Sequence, residues 1–159
     1  VLKSIRPIPQ SAVHAQTFRA QYTSGMINGK KVNSYTEEDG VSHNSTTETY
    51  AAMKLYIDNW RWGGVPFYIR TGKRMAESQS QIAIRFKDLL LDVIEGDRTL
   101  FLRYDEVEWA WQVVDPVLRV WAMERDYIHP YHAGTWGPQE TRRMFEKEDQ
   151  FWRHSLLPE

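Results

Sequence analysis

The chain contains no cysteine, which excludes disulfides and thiolate chemistry. This does not fix the compartment; a reducing cytoplasm is compatible with it. No run of about 18 apolar residues occurs, so no membrane-spanning helix is expected. The first ten residues, VLKSIRPIPQ, lack the charged start and apolar stretch of a secretory leader. They also lack an initiator Met, as expected of a fragment or a processed chain. No G-x-G-x-x-G is present, so there is no dinucleotide fingerprint. Neither sign of charge dominates: 20 Lys and Arg face 21 Asp and Glu, for a formal net charge of −1. With no overall field, neither nucleic acid nor an anionic membrane is an expected partner.

What remains is a chain of 159 residues, 42% hydrophobic and 26% charged, enough for one soluble domain with a sizeable core. Seven Trp, eight Tyr and six Phe suit a dense core, or a core together with a subunit contact.

Pro7 and Pro9 close a short basic start. Residues 14–22 read as the beginning of an ordered loop, and 23–45, with Gly25, Gly29 and Gly40 among Asn and Ser, as a long surface loop. Alternation from Met53 to Ile57 predicts a half-buried strand, VPFYIRT at 65–71 a second, and QIAIRFK at 81–87 a third. The period then changes. Residues 89–94 have helical spacing, with Asp88 as a candidate N-cap. Residues 105–124 form the strongest helix pattern: Val107, Trp111, Val114, Leu118 and Trp121 make one apolar stripe, with a kink or break expected at Pro116. Residues 127–138 read as Pro/Gly-rich coil and 139–152 as a short amphipathic helix. Strands followed by helices predict an α+β fold, an antiparallel-leaning sheet with helices packed on one side.

Gly72-Lys73 resembles the end of a P-loop, but the required Gly five residues earlier is Phe67 and the required Ser or Thr afterwards is Arg74. What survives is a basic cluster, Arg70, Lys73 and Arg74, in a turn after a strand. It can serve as charge-assisted donors to a phosphate, or stand as a solvated basic turn. His129 and His132 lie in a Pro-broken stretch without further ligands, whereas zinc takes roughly three or four protein ligands; no metal site is expected. The acidic run Glu37, Glu38 and Asp39 lacks the alternate-position ligands and sixth-place Gly of a calcium loop, and reads as a solvated loop. Residue chemistry alone does not reach a reaction.

Longer stretches carry a resemblance. DNWRWGGVPFYIRTGKR at 58–74 is similar to the DNWRWxGVPFYxRTGK segment of the glucose-6-phosphate dehydrogenase family. RAQYTSG at 19–25, NSTTETYAA at 44–52, LLLDVIEGDRTLFLRYDEVEWAW at 89–111 and YHAGTWGP at 131–138 resemble further family blocks, in family order and across almost the whole chain. The resemblance implies the C-terminal α+β domain of an oxidoreductase. That enzyme oxidises glucose 6-phosphate to the lactone and passes a hydride to NADP, at the entry to the pentose phosphate pathway. It is cytoplasmic, and assembles as a homodimer or homotetramer through the large sheet of this domain. It also implies that Lys73, the Lys of RTGK, contacts the substrate phosphate, with Arg70 and Arg74 as weaker accessory candidates. A second family Lys falls at Ser78.

Two family features are missing. The Rossmann fingerprint is absent, and so is the R-x-DHYLGK-type segment whose His is the general base. The 159 residues alone are therefore expected to be inactive. In addition, the strand matching QIAIRFK is followed in the family by a long stretch before LLLD, whereas here Lys87 and Asp88 are adjacent. The expectation is residues 1–159 as a single, partial C-terminal domain with a junction at 87/88. An alternative reading is a non-catalytic module that binds a sugar phosphate or assembles through its sheet.

Overall fold

A computed structural model describes residues 2–83 and 104–154. A short helix, α1 (Val13–Gln16), leads into β1 (Thr17–Thr23), then the small hairpin β2 (Gly25–Ile27) and β3 (Lys30–Val32). β4 (Tyr50–Tyr56) and β5 (Pro66–Gly72) follow, then the long helix α2 (Tyr104–Met123) and the short strand β6 (His129–His132). The main sheet has four strands in the order β5-β4-β1-β6. β1 runs antiparallel to β4, with Phe18 opposite Ala52 and Ala20 opposite Tyr50, and parallel to β6, with Tyr22 opposite Tyr131.

β1 is central and was not expected as a strand. Its alternation is present, Phe18, Ala20 and Tyr22 against Arg19 and Gln21, but both faces are buried. A polar residue inside a buried strand obscures the usual apolar-in, polar-out signal. Phe18, Ala20 and Tyr22 join Tyr50, Ala52, Tyr131, Ala133 and Met144 in one core cluster. On the opposite face, Leu55 packs with Ile8, Val13 and the α2 residues Val113, Val117, Val120 and Trp121. The sheet thus carries helix on one face and irregular chain on the other, in keeping with the expected α+β class.

Other expectations need correction. β6 lies within the expected coil at 127–138, and its Pro130 is tolerated because β6 is an edge strand. The expected surface loop at 23–45 contains the β2–β3 hairpin. Instead of a helix over 139–152, only a 3-10 segment at Gln139–Met144 forms. Of the expected strand at 81–87, Gln81–Ala83 are not in a strand; its remainder, the helix at 89–94 and the 87/88 junction lie outside the described residues. α2 continues through Pro116, and its buried line is Val113, Val117, Val120 and Trp121, while Val107 and Trp111 are exposed. Adjacent apolar pairs such as Val113–Val114 leave the phase of a helical stripe ambiguous by one residue.

Arg19 answers for the polar face of β1. Its guanidinium donates to the Glu124 carbonyl just beyond α2, lies 3.8 Å from a Glu48 carboxylate oxygen and sits 5.9 Å from the Trp121 ring centroid. A cation at a helix C-terminus also complements the helix dipole.

The far end of β4 is tied to the C-terminal segment. The Tyr56 hydroxyl donates to the Glu146 carboxylate, and Lys54 lies 3.5 Å from the same oxygen. That carboxylate, and then partial burial, push the Tyr56 hydroxyl up to about 12. The same bond, followed by the Lys54 charge, holds Glu146 below its ordinary value of 4.5. A lowered carboxylate stabilises the fold above the unfolded value, and this is lost as pH falls through the folded one. A raised phenol stabilises it below the unfolded value of 10.0, and this is lost as pH rises toward the folded one. Tyr56→Phe is therefore expected to lower Tm by a few degrees between these limits, with the gap to wild type closing at both acid and alkaline ends. A gap independent of pH in a thermal-melt series would show that this pair does not titrate with folding.

Candidate functional site

The basic turn begins where β5 ends beside the start of β4, with Tyr50 opposite Gly72. The Lys73 N–H donates to the Thr49 carbonyl at 2.8 Å. The Tyr131 hydroxyl donates to the Lys73 carbonyl at 2.6 Å and lies 3.2 Å from the Thr49 carbonyl. One residue on, the Arg74 carbonyl accepts from the Gly134 N–H at 2.8 Å, and the Ala76 N–H donates to the Thr135 carbonyl at 2.9 Å. The turn is thereby docked on the segment that follows β6.

Thr49 is itself positioned by β1. Its N–H donates to the Ala20 carbonyl at 2.9 Å and its hydroxyl oxygen accepts from the Tyr22 N–H at 2.9 Å. The Gln21 amide donates to the carbonyls of Ser45 and Thr47, each at 2.9 Å. RAQY and STTET are thus two halves of one hydrogen-bonded unit.

Two glycines of the motifs have a shared cause. Tyr50 is only 1% exposed, and its ring fills the space between Gly72 and Gly137. A Cβ on Gly72 would stand 2.9 Å from the ring, and one on Gly137 2.5 Å from it. Gly137 also has φ +96°, a region that favours glycine.

Lys73 lines an open cleft of about 920 Å³ together with Tyr22, Asn28, Tyr35, Glu38 and Ser78. Its side chain is exposed, and among the described residues no carboxylate pairs with it. Arg74 lines the same cleft, but its guanidinium is 3.1 Å from Glu38, and the Tyr22 hydroxyl donates to the same carboxylate oxygen at 3.0 Å. Burial, and then Glu38, raise the Tyr22 hydroxyl above the ordinary tyrosine value. Glu38, read from sequence as part of a solvated acidic run, is the counterion of Arg74; nothing in sequence spacing links residues 36 apart.

Arg70 does not line the cleft. It projects from the sheet face that carries Trp152 and donates to the carbonyls of Trp136 at 2.9 Å and Arg153 at 3.0 Å. Its guanidinium lies 5.0 Å from the Trp152 ring and 5.7 Å from that of Trp136. Burial lowers its pKa from the ordinary arginine value. Of the three cations, Lys73 alone combines the cleft, an exposed ammonium and no carboxylate partner among the described residues.

His132 Nδ1 is 3.2 Å from the Ser24 carbonyl, while the His129 ring packs 4.8 Å from Phe18 and 5.1 Å from Tyr127. Among the described residues, no group of three or more His, Cys, Asp or Glu is placed to hold a metal, and no helix is long and apolar enough to cross a membrane.

The four-stranded sheet, the docked basic turn and the open cleft define an α+β domain with a candidate anion site, and comparisons with known proteins place that domain in a family. The model of the glucose-6-phosphate dehydrogenase C-terminal domain matches residues 1–89 and 86–153. The chain belongs to that family. Glucose-6-phosphate 1-dehydrogenase of Dickeya dadantii is 34% identical over 221 residues, covering 96% of this chain and 45% of the relative. That of Rhizobium meliloti is 34% identical over 225 residues, covering 98% and 45%. The crystal structure of glucose-6-phosphate 1-dehydrogenase from Mycobacterium avium superposes with a TM-score of 0.65 at 27% identity, over 99% of this chain and 43% of that one. A glucose-6-phosphate dehydrogenase in complex with glucose 6-phosphate gives 0.67 at 19% identity, over 96% and 44%; at that identity the likeness concerns the fold. The chain spans less than half the length of the curated relatives it matches.

The packing around Tyr50 yields a paired expectation. Among the described residues its buried hydroxyl makes no hydrogen bond of full geometry, with Arg70 and Thr141 as its polar neighbours, so Tyr50→Phe is expected to stay within about 0.5 kcal/mol of wild type. Gly137→Ala forces a Cβ against the ring at a strained φ and is expected to cost about 2 kcal/mol or more. Urea unfolding of both variants checks this; equal midpoints would mean that the ring does not need the glycine.

Proposed function

We propose that this chain is the substrate-side domain of an NADP-dependent dehydrogenase of glucose 6-phosphate, and that Lys73 binds the substrate phosphate. The observation that carries the reading is the exposed Lys73 ammonium, without a carboxylate partner among the described residues, on a rigidly docked turn in an open cleft, within a family whose relatives are named glucose-6-phosphate 1-dehydrogenases. An ammonium without a carboxylate partner can neutralise a phosphate oxygen without first breaking an ion pair, and bonds between ionised partners are the stronger class. Arg74 stands at the same cleft as an accessory cation with its charge shared by Glu38. Arg70 supports the turn from behind, by holding the Trp136 carbonyl.

NADP binding and removal of the C1 hydroxyl proton belong to residues outside this sequence, since it holds neither the dinucleotide fingerprint nor the His-containing segment. Residues 87 and 88 are a junction of separate family segments. In support, the family model matches in two stretches that meet at 86–89, and the span aligned with relatives, 221 residues, exceeds the chain itself. The working enzyme acts in the cytoplasm, in carbohydrate oxidation through the pentose phosphate pathway, as a homodimer or homotetramer joined through the sheet.

The 159-residue chain alone is expected to produce no NADPH from glucose 6-phosphate; turnover by the pure chain would overturn this assignment. In a full-length dehydrogenase carrying this domain, Lys73→Ala is expected to raise the KM for glucose 6-phosphate about tenfold or more, leaving the KM for NADP nearly unchanged. Steady-state kinetics decide it, and an unaltered sugar-phosphate KM would remove Lys73 from the site.

A further inference from the structure

Lys73 can serve a phosphate only if its backbone is held still, because the four-carbon stem of a lysine fixes nothing by itself. The main chain at this position is unusually well anchored for a turn. Its N–H is bonded to the Thr49 carbonyl at 2.8 Å, and its carbonyl accepts the Tyr131 hydroxyl at 2.6 Å. The same hydroxyl lies 3.2 Å from the Thr49 carbonyl and 3.3 Å from the Thr49 hydroxyl. One phenol therefore closes a ring through both residues, joining the start of β4 and the end of β5 to β6.

The phenol has little freedom to leave. Tyr131 is 5% exposed, and its ring packs against Tyr50 at 5.5 Å and Tyr22 at 6.5 Å. Tyr50 is in turn confined by Gly72 and Gly137. Tyr22 leads through Glu38 to Arg74, the other cation of the cleft. Tyr131 itself does not line the cleft, so any influence on a ligand passes through the residues it holds.

We propose that Tyr131 is a positioning residue for Lys73: its hydroxyl, bonded to the Lys73 carbonyl and bridging to Thr49, fixes the peptide from which the ammonium reaches the cleft. This rests on the reading of Lys73 as the phosphate contact. Removing the hydroxyl while keeping the ring preserves the packing and releases only the anchor.

The experiment uses the 159-residue chain with glucose 6-phosphate as the probe, and compares wild type, Tyr131→Phe, Lys73→Ala and the double variant. Calorimetry or NMR titration gives the Kd, and amide hydrogen exchange gives the local anchoring. Tyr131→Phe is expected to speed exchange of the Lys73 amide about tenfold relative to mid-β4 amides, and to weaken binding about three- to tenfold. In the Lys73→Ala background the same change is expected to add nothing, because the two residues act as one unit. The exchange measurement needs no ligand: unchanged Lys73 protection in a folded Tyr131→Phe chain overturns the positioning role. If Lys73→Ala weakens binding and Tyr131→Phe does not, the positioning role fails and the phosphate reading stands. Additive losses in the double variant also refute action through Lys73. If wild type and Lys73→Ala bind alike, or neither binds, the phosphate reading fails and this role falls with it. If Tyr131→Phe does not fold, Thr49→Ser, which keeps the hydroxyl and carbonyl, is expected to bind as wild type, and Thr49→Val to weaken binding in the same non-additive way; an additive Thr49→Val effect refutes the shared anchor.

Discussion

β1 is buried on both faces, yet one of its faces is polar. Groups such as the Arg19 guanidinium and the Gln21 amide must then find partners inside the protein, because burying them unpaired costs far more than a made bond returns. Their partners are the Glu124 carbonyl just beyond α2, the Glu48 carboxylate, and the carbonyls of Ser45 and Thr47. That segment cannot stray, so it delivers Thr49 to a fixed place at the head of β4. Thr49 then supplies the carbonyl on which Lys73 is hung. The position of the basic turn is thus a downstream result of satisfying a strand two places away in the sheet.

The other face is organised by aromatic rings. Tyr22, Tyr50 and Tyr131 meet in tilted and edge-on contacts of 5.5 to 6.5 Å, geometries favoured by ring quadrupoles. Tyr68, Phe145 and Trp152 continue the layer, and Arg70 lies over Trp152 and Trp136. The burial of Arg70 is offset by two carbonyl acceptors, which makes it part of the wall. A basic residue beside a candidate phosphate site is not thereby a ligand; Arg70, Lys73 and Arg74 lie within five positions of one another and point to three different tasks.

The parts legible in sequence were those governed by local periodicity. β4 and β5 announced themselves by alternation and breaking glycines, and α2 by its apolar repeat. β1 and β6 were not legible: β1 conceals polar side chains in the core, and β6 holds a proline and only four residues. The 139–152 stretch has the composition of a helix, but its Phe145 and Trp152 are drawn to Tyr68 on the sheet, a tertiary pull that outweighs local preference. At the site, family motifs marked Lys73, while the pairing of Arg74 with Glu38 and the hold of Tyr131 on Lys73 join residues 36 and 58 positions apart. No spacing rule reaches that far.

The bond from Tyr131 to Lys73 brackets 58 positions of chain, and its ends are fixed from outside the bracket, by β1 on one side and β4 on the other. The cost of closing such a loop grows only as the logarithm of its length, about 0.6 kcal/mol per doubling. Chain can therefore be gained or lost inside the bracket over evolutionary time while the clamp at its base keeps its geometry. A domain built this way separates what may vary in size from what must stay in place.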